Sequence, residues 1–393
     1  MDQARYQAHQ WGRAVSTGGP HAYAAYVPAS LPQTLALDPE TVQALSHADL
    51  AVGRLAGAGR LLPNPHLFLA SYLTEEALAS SRMEGTQASL SELFDAAALG
   101  EKPNDDVREV QNYVQALEHG LRRLPDLPLS KRLLCEMHAI LLDGVRGREK
   151  TPGEFRRSQN WIGSPDNRPE TALFVPPTVE HMWSALDDWE RYIHQMTPAL
   201  PTLVRAALLH YQFETIHPFL DGNGRLGRLF IVLYLVEQEI LPAPLLPLSA
   251  QLERTKDLYI DHLQGVRERG DVQGWLRYFL GAVAAQATRS VDRAEKLTDL
   301  RERYRSCLHG RRSRAGEVVD LLFGNPVLTT RYVVTHLGVT PQGATHLLRQ
   351  LAELKLLREA SEGRRGVRAR WYADEIMDVL REPSEPAASY WAG

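Results

Sequence analysis

Twelve residues in the middle of the chain, HPFLDGNGRLGR at 217–228, combine a histidine, an aspartate, an asparagine, three glycines and two arginines. The run LFIVLYLV at 229–236 follows at once and is apolar on every side. A helix that is hydrophobic all round is normally buried in the core of a larger protein. The segment therefore predicts a polar, flexible turn that is held in place by a buried helix over 226–239.

Apolar residues recur at helical spacing along most of the chain, and strands do not alternate with helices. This pattern predicts helices over 40–55, 63–85, 105–123, 130–142, 178–196, 203–214, 226–239, 251–267 and 272–285. Proline and glycine break the rhythm between 151 and 177, which predicts an exposed β-hairpin flap. We therefore expect a mainly α-helical protein with one small β insertion.

The composition changes near Arg311, and 311–372 carries eleven basic and five acidic residues. Predicted helices over 316–323, 329–337 and 341–355, followed by two short strands around a Gly/Arg tip, indicate a winged helix-turn-helix. The expected recognition surface contains Thr340, Gln342, Thr345, His346, Arg349 and Gln350, and the expected wing contacts are Arg364, Arg365, Arg368 and Arg370. This module is expected either to contact DNA or to serve as a protein-interaction or dimerisation module.

Composition excludes several classes of protein. The chain has 393 residues and a net charge of −4, so the whole molecule is not a general polyanion binder. Its two cysteines, Cys135 and Cys307, are too few for a disulfide framework. The N-terminal residues lack the apolar region of a signal peptide, and the longest apolar run, Leu229 to Val236, is too short for a membrane span. We expect a cytoplasmic protein without membrane contact.

The glycines of the central segment match G-x-G-x-x-G, the dinucleotide-binding fingerprint. That fingerprint requires a preceding strand within a βαβ unit, whereas the preceding LVRAALLHYQFETI has helical spacing. A P-loop is excluded because its Gly-Lys-Ser/Thr ending is missing. A simple glycine-rich connector would leave the histidine, the aspartate and the two arginines unexplained.

An anion site explains these residues together. Gly222 and Gly224 allow a tight turn and a close approach of a ligand to the backbone, directly before a helix N-terminus that attracts anions. Arg225 and Arg228 are three residues apart and share one face of the first turn, where two guanidinium groups can hold adjacent phosphates.

Three further side chains of the segment supply chemistry. Asp221 offers oxygen ligands for Mg²⁺, which prefers oxygen and phosphate, and Asn223 offers a donor or a contact to the metal's hydration shell. His217 can accept a proton from an attacking hydroxyl group. The segment therefore predicts binding of a magnesium-bound phosphate compound next to a general base.

HPFLDGNGRLGR resembles the motif of the Fic family, HPFx[DE]GNGRxxR, at every defining position. The resemblance implies transfer of AMP from ATP to a Ser, Thr or Tyr hydroxyl of a protein, with His217 as the base and Asp221 as the magnesium ligand. It implies ATP binding by Gly222, Asn223, Gly224, Arg225, Leu226, Gly227 and Arg228. Gly222, Asn223 and Gly224 would cradle the α- and β-phosphates with help from Arg225, and Arg228 would hold the γ-phosphate. The related Doc subgroup, which transfers phosphate, has a different glycine pattern.

Two other segments extend the resemblance. PGEFRRSQNWIG followed by ALFVPP is similar to the family's flap, which implies that Phe174, Val175 and Pro176 dock a target segment by strand addition. KDLYIDHL is similar to the segment that closes over the adenine, which implies a contact from Tyr259. Family members often have two tyrosines there, whereas Ile260 follows Tyr259 in this chain.

The segment SSRMEG at 80–85 resembles the family's inhibitory motif, [ST]xxxE[GN]. Ser80 and Glu84 are four residues apart and share a helix face. The resemblance implies that Glu84 forms a bidentate pair with Arg228 and occupies the anchor of the γ-phosphate. The alternative is that Glu84 is a solvated acidic residue at a helix end, without a regulatory role. In some family members the same glutamate positions a water molecule that removes AMP.

The expected architecture is thus a Fic-type helical bundle with a small β-hairpin flap and a C-terminal winged-helix domain. The expected segments are 1–62 (N-terminal arm), 63–125 (inhibitory-helix region), 126–285 (Fic core), 286–310 (linker helix), 311–380 (winged helix-turn-helix) and 381–393 (flexible tail). The expected function is that of an autoinhibited protein adenylyltransferase that uses ATP and Mg²⁺, modifies a protein target or itself, and could form a homodimer. The alternatives are removal of AMP by the same site and a DNA-binding transcriptional regulator whose Fic body senses nucleotide.

Overall fold

A computed structural model of the chain describes residues 1–6, 8–18, 22–61, 65–100, 102–309, 313–360 and 369–381. The strands in these ranges are β1 (Gly12–Ser16), β2 (Ala24–Pro28), β3 (Val327–Thr329), β4 (Arg358–Ala360) and β5 (Arg370–Tyr372). The helices there are α1 (Pro39–Leu61), α2 (Pro65–Met83), α3 (Leu90–Leu99), α4 (Asp105–Arg123), α5 (Lys131–Leu141), α6 (Val179–Ile193), α7 (Thr202–Ile216), α8 (Asn223–Glu237), α9 (Leu248–Arg254), α10 (Lys256–Arg269), α11 (Val272–Ser306), α12 (Ala315–Gly324), α13 (Thr330–Leu337), α14 (Pro341–Glu353) and α15 (Asp374–Arg381). The predicted mainly helical class is confirmed.

Two antiparallel helices form the centre of the molecule. Every residue of α7 from Leu203 to Ile216 is buried, and α8 is buried from Arg225 to Leu235. Helices α4, α5, α6, α9 and α11 pack around this pair. Because α7 and α8 lie in the core, the loop that joins them at 217–222 has both of its ends fixed.

The N-terminal segment is more ordered than the sequence predicts. A hairpin of β1 and β2 precedes α1, which is longer than the predicted helix at both ends. Trp11 is buried in the main core, and α1 packs along α11. The arm is therefore an integral layer of the bundle. Helix α11 continues without a break from Val272 to Ser306, so the residues from 286 to 306, predicted as part of a separate linker helix (286–310), belong to the same helix as the end of the predicted core.

The C-terminal module has the topology of a winged helix. Helices α12, α13 and α14 pack together, and the three short strands form an antiparallel sheet in the order β3-β5-β4. Gly338, with φ of 62°, provides the left-handed turn before α14. The predicted wing residues Arg364, Arg365 and Arg368 and most of the predicted tail lie outside the described residues.

Candidate functional site

The loop between α7 and α8 is held by its own side chains. His217 ends α7 with φ of 48°, a left-handed conformation that is uncommon for a residue other than glycine. Gly222, with φ of 76°, precedes α8. The amide of Asn223 accepts from the Phe219 N–H (2.8 Å) and donates to the Phe219 C=O (2.8 Å). The Asn223 side chain therefore closes the loop. The sequence led us to expect a contact from this side chain to a phosphate or to the hydration shell of a metal, but in the structure it is not free to make one.

Two residues of the 151–177 segment fix the backbone of His217 from the other side. The buried guanidinium of Arg156 donates through Nε to the His217 C=O (3.0 Å). The amide of Asn160 donates to the same carbonyl (3.0 Å) and to the Phe219 C=O (2.9 Å). These contacts hold His217 in its strained conformation, as positions at functional sites often require.

The imidazole of His217 stands at the edge of the core, with 19% of its side chain exposed. Burial lowers its pKa to about 3, and the positive charges of Arg267 and Arg156 act in the same direction. The ring is therefore neutral at physiological pH. A neutral imidazole can accept a proton, which is what a general base requires.

His138 supports the loop from below. Its Nδ1 accepts from the Gly153 N–H (2.8 Å), so its Nε2 carries the proton and donates to the Asp221 C=O (2.9 Å). Its ring stacks on Phe219 with centroids 3.9 Å apart. Burial lowers the pKa of His138 to about 4, so the ring remains neutral. No local sequence signal marks this role, because the partners of His138, Gly153 and Asp221, are distant in the chain.

Arg225 has donors without acceptors. Its guanidinium is almost fully buried, and its Nε and Nη1 have no hydrogen-bond partner among the described residues. The nearest carboxylate oxygens belong to Asp221 (3.6 Å) and Glu109 (4.0 Å), both beyond hydrogen-bond length. Unfilled donors on a buried cation are costly, so this arrangement favours an anionic ligand at the start of α8.

Arg228 is occupied by helix α2. Its Nη2 donates to Glu84 Oε1 (2.7 Å) and to the Ser80 C=O (2.9 Å), and its Nε donates to Ser80 Oγ (2.9 Å). The structure therefore brings Ser80, Glu84 and Arg228 together. The sequence predicted a bidentate pair between Glu84 and Arg228. In the structure Glu84 accepts only from Nη2, because the Ser80 hydroxyl accepts from Nε.

The Glu84 carboxylate lies over the first turn of α8. Burial is the largest single effect and disfavours the ionised form, but the charge and the hydrogen bond of Arg228, together with the charge of Arg225, outweigh it, so the pKa of Glu84 is lower than usual. A Cβ on Gly224 would come within 2.3 Å of Glu84 Oε1. Glycine at 224 therefore provides the space that the carboxylate fills, and the same space borders the unpaired N–H groups at the start of α8.

Asp221 is the carboxylate of this loop that suits Mg²⁺. Its side chain is 37% exposed at the mouth of the site, and its Oδ1 accepts from the Gly222 N–H (2.6 Å). Among the described residues, no group of three or more His, Cys, Asp or Glu side chains could hold a metal. One exposed carboxylate beside a phosphate site fits Mg²⁺, which is usually held by one or two carboxylates together with phosphates and waters.

Three residues that were predicted to contact the nucleotide are packed in the core between helices. Tyr259 is buried, and its hydroxyl bonds to His210 Nε2 (2.9 Å) in the core. Leu226 is fully buried, and Gly227 packs against Phe213 and Glu214 on α7. In this conformation Tyr259, Leu226 and Gly227 join α8 and α10 to α7, and their contacts with ATP stay a prediction.

The predicted flap is a minimal hairpin that the N-terminal arm covers. Its ladder consists of one bridge, between Ile162 and Phe174. Phe174, Val175 and Pro176 are buried, and the Tyr26 N–H of β2 donates to the Val175 C=O (2.9 Å). The prediction that these three residues form an exposed docking edge is wrong here, because β2 already occupies it.

The winged-helix module presents a polar face. Thr340, Gln342, His346 and Arg349 are exposed, whereas Thr345 and Gln350 are half-buried. The opposite face of α14 is buried through Ala344, Leu347, Leu348 and Leu351. Arg370, expected on the wing, instead lies 3.6 Å from Asp95 of α3.

The described helices contain no stretch that is both long and apolar enough to cross a membrane.

Comparison with family models gives three matches. A model described as Fic/DOC family N-terminal matches 42–122, a Fic/DOC family model matches 128–235, and a model described as HTH DNA binding domain matches 315–371. The second match contains the whole loop from His217 to Arg228. The first contains Ser80 and Glu84.

Curated relatives and solved structures agree with these matches. The protein adenylyltransferase fic-1 of Caenorhabditis briggsae is 29% identical over 199 residues, which cover 49% of this chain and 35% of that relative. The protein adenylyltransferase Fic of Aedes aegypti is 32% identical over 146 residues, covering 37% of this chain and 26% of the relative. The chain thus spans about a third of the length of the curated relatives that it matches.

A Fic family protein from Desulfovibrio desulfuricans has a similar fold, with a TM-score of 0.57 and 19% identity over 86% of this chain and 97% of that one. A Fic domain containing signaling protein from Bacteroides thetaiotaomicron has a TM-score of 0.50 and 17% identity over 65% of this chain and 97% of that one.

Proposed function

We propose that this chain, which belongs to the Fic/DOC family, transfers AMP from ATP to a hydroxyl group of a protein. Two observations carry the proposal together: a neutral His217 at the start of the loop, and a buried Arg225 with unfilled donors in the first turn of α8. A neutral base beside an anion site is the minimum that phosphoryl-group chemistry on an alcohol requires. The adenylyltransferases among the relatives support the same activity.

The loop residues have separate roles in the proposed reaction. The triphosphate lies at the start of α8, where unpaired N–H groups and Arg225 bind the α- and β-phosphates. His217 takes the proton of a Ser, Thr or Tyr hydroxyl, the hydroxyl oxygen bonds to the α-phosphorus, and the bond to the β-phosphate oxygen breaks. AMP stays on the target and pyrophosphate leaves. Arg228 binds the γ-phosphate once it is free of Glu84.

Asp221 would hold Mg²⁺ at the mouth of the site, where the metal would neutralise charge on the phosphates. Its carboxylate is 37% exposed and lies one residue before Gly222, which precedes α8.

Glu84 acts as a brake in this proposal. The carboxylate and Ser80 occupy the guanidinium of Arg228, so the γ-phosphate has no anchor and ATP is misplaced. A guanidinium fork binds carboxylate and phosphate in the same way, which makes the two mutually exclusive. Glu84 directly follows Met83, the last residue of α2, and 38% of the Glu84 side chain is exposed. A movement of the end of α2 would therefore release Arg228 from Glu84.

Labelled ATP tests the proposal with four variants of the full chain. Glu84→Gly should raise the transfer of label to protein about tenfold or more, since it frees an anchor for a charge-assisted pair. His217→Ala in the Glu84→Gly background should abolish transfer, and Arg228→Ala in that background should weaken it. Gln87→Gly, an exposed change just beyond the end of α2, is the control and should leave the rate low. Mass spectrometry of the labelled residue should find a mass increase of AMP on a hydroxyl side chain.

Two results would overturn parts of the account. Transfer that persists in His217→Ala removes the proposed base. An unchanged rate in Glu84→Gly removes the brake, and incubation of AMP-modified protein with the unaltered chain then shows whether Glu84 instead supports removal of AMP.

A second role is favoured by the C-terminal module. Its match to a DNA-binding helix-turn-helix and the exposed side chains of Gln342, His346 and Arg349 on α14 support contact with DNA. The chain would then combine nucleotide transfer with DNA binding.

A further inference from the structure

Glu214 is a buried carboxylate that faces the proposed base. It lies on α7 one turn before His217, and its Oε2 is 3.9 Å from His217 Nδ1. Its other oxygen, Oε1, has no hydrogen-bond partner among the described residues, and neither does His217 Nδ1. A shift of about 1 Å would bring the two groups to hydrogen-bond length.

The position of Glu214 is fixed by α8. A Cβ on Gly227 would come within 2.4 Å of Glu214 Oε1 and 3.0 Å of Phe213. Glycine at 227 thus leaves a slot in α8 that the carboxyl group fills. This contact explains a glycine that has no place in the phosphate site.

Arginines and carboxylates surround His217 and Glu214 and act on them in opposite directions. Arg267 and Arg156 are the cations that disfavour a positive charge on His217, whereas the backbone carbonyl of Glu214 and the carboxylate of Glu84 favour it. Glu214 is itself acted on by Arg228, Arg267 and Glu84. When Glu84 leaves, as activation requires, Glu214 remains as the nearby carboxylate that can balance a positive charge on His217.

We propose that Glu214 positions His217 by accepting a hydrogen bond from Nδ1–H and stabilises the imidazolium ion that forms during AMP transfer. The proposal rests on the proposed function. In the step, the O–H bond of the target hydroxyl breaks and Nε2 gains its proton, while the oxygen bonds to the α-phosphorus and pyrophosphate departs. His217 thereby becomes positively charged in a site where arginines disfavour that charge, and ionised Glu214 offsets it.

Burial raises the pKa of Glu214 to about 7, an effect that the like charge of Glu84 increases and that Arg228 and Arg267 oppose. Glu214 is therefore ionised above its pKa and neutral below it, and the neutral form cannot stabilise the imidazolium. The transfer rate should fall as the pH drops through the pKa of Glu214. In the Glu84→Gly background this fall should come at a lower pH, because one like charge is gone.

The test compares rates of AMP transfer over a range of pH in the full chain carrying Glu84→Gly. Adding Glu214→Gln should lower kcat about tenfold or more, leave the KM for ATP unchanged, and remove the fall at low pH. Adding Glu214→Asp should retain the fall with an intermediate rate, because the charge is kept. The control is Glu76→Gln, another buried carboxylate whose pKa burial raises and whose partners are Ser249 and Tyr113; it should retain the parental pH profile.

A measurement without ATP separates this proposal from the function it rests on. The ¹⁵N chemical shifts of His217 report which ring nitrogen carries the proton. We expect Nδ1–H in the Glu84→Gly chain and loss of that preference in Glu214→Leu. If the parent transfers no AMP, the proposed function fails while the tautomer still tests Glu214. An unchanged tautomer in Glu214→Leu, or an unchanged rate and pH profile in Glu214→Gln, overturns the role of Glu214.

Discussion

The amide of Asn223 closes the loop that carries His217, because it bonds to both the N–H and the C=O of Phe219. A polar residue in this segment was expected to face the ligand. The side chain of Asn223 is instead buried and used within the loop, whereas Arg225, equally buried, has unfilled donors. Asn223 therefore shapes the loop, whereas Arg225 is available to bind an anion.

Asn223→Ala should lower the free energy of unfolding by roughly 2 kcal/mol, because it leaves the buried N–H of Phe219 without a partner, while the Phe219 C=O keeps its bond from Asn160. It should also abolish AMP transfer, because the loop loses its shape. Chemical denaturation and the labelled-ATP assay measure the two effects. Asn223→Asp keeps the acceptor for the Phe219 N–H and should lose less stability. Equal stability of the unaltered chain, Asn223→Ala and Asn223→Asp would contradict the role of the Asn223 side chain in closing the loop.

At the scale of elements, α7 and α8 form a rigid pair because small residues let them approach closely. At Gly227, Glu214 and Phe213 of α7 fill the space that a Cβ would take. The loop between the helices inherits this rigidity, and so does the Glu214–His217 pair. Catalytic groups on such a support are held more firmly than groups on free loops.

Gly227→Ala should destabilise the protein by about 1–3 kcal/mol, because the added methyl group overpacks the contact between the helices. Gly53→Ala is the matched control, since Gly53 is an exposed residue inside α1 with open space around it. That control should stabilise the protein by about 0.5–1 kcal/mol through helix propensity. Thermal unfolding of both variants checks the contrast, and destabilisation by Gly53→Ala or none by Gly227→Ala would refute it.

Periodicity predicted most helices because a helix is a local structure. Helix α4 begins and ends as predicted, since Asn104 caps it and the apolar face is regular. The contacts that the sequence missed are long-range. Nothing local to Tyr259 shows that His210 binds its hydroxyl, and nothing local to Val175 shows that β2 covers its carbonyl. The loop motif carried the site residues, but the distant partners of the motif became visible only in the fold.

In the whole molecule, α2 contacts both the candidate site and the winged-helix module. Helix α2 carries Ser80 in its last turn, Glu84 directly follows its last residue, and the helix packs against α9 and α12. Near its start, Ser71 Oγ donates to the Phe323 C=O of the winged-helix module (3.2 Å). The same helix therefore contacts the winged-helix module near its start and the guanidinium of Arg228 through Ser80.

Binding of duplex DNA by the full chain should weaken steeply as salt rises, because phosphate contacts release counterions. Arg349→Ala, on the exposed face of α14, should reduce affinity and lower the steepness of the salt dependence by about one unit. Arg157→Ala, an equally exposed arginine outside the module, is the control and should change neither. Fluorescence anisotropy with labelled duplex measures both quantities. Absence of binding even at low salt would leave the module without a role on DNA.

The most direct test of the account is a crystal structure of the Glu84→Gly chain with ATP and Mg²⁺. We expect the triphosphate at the start of α8, with Arg225 and Arg228 on its phosphates, Asp221 on the metal and the α-phosphorus facing His217 Nε2. Nucleotide bound elsewhere, with the donors of Arg225 still unfilled and Arg228 turned away from any phosphate, would contradict the account.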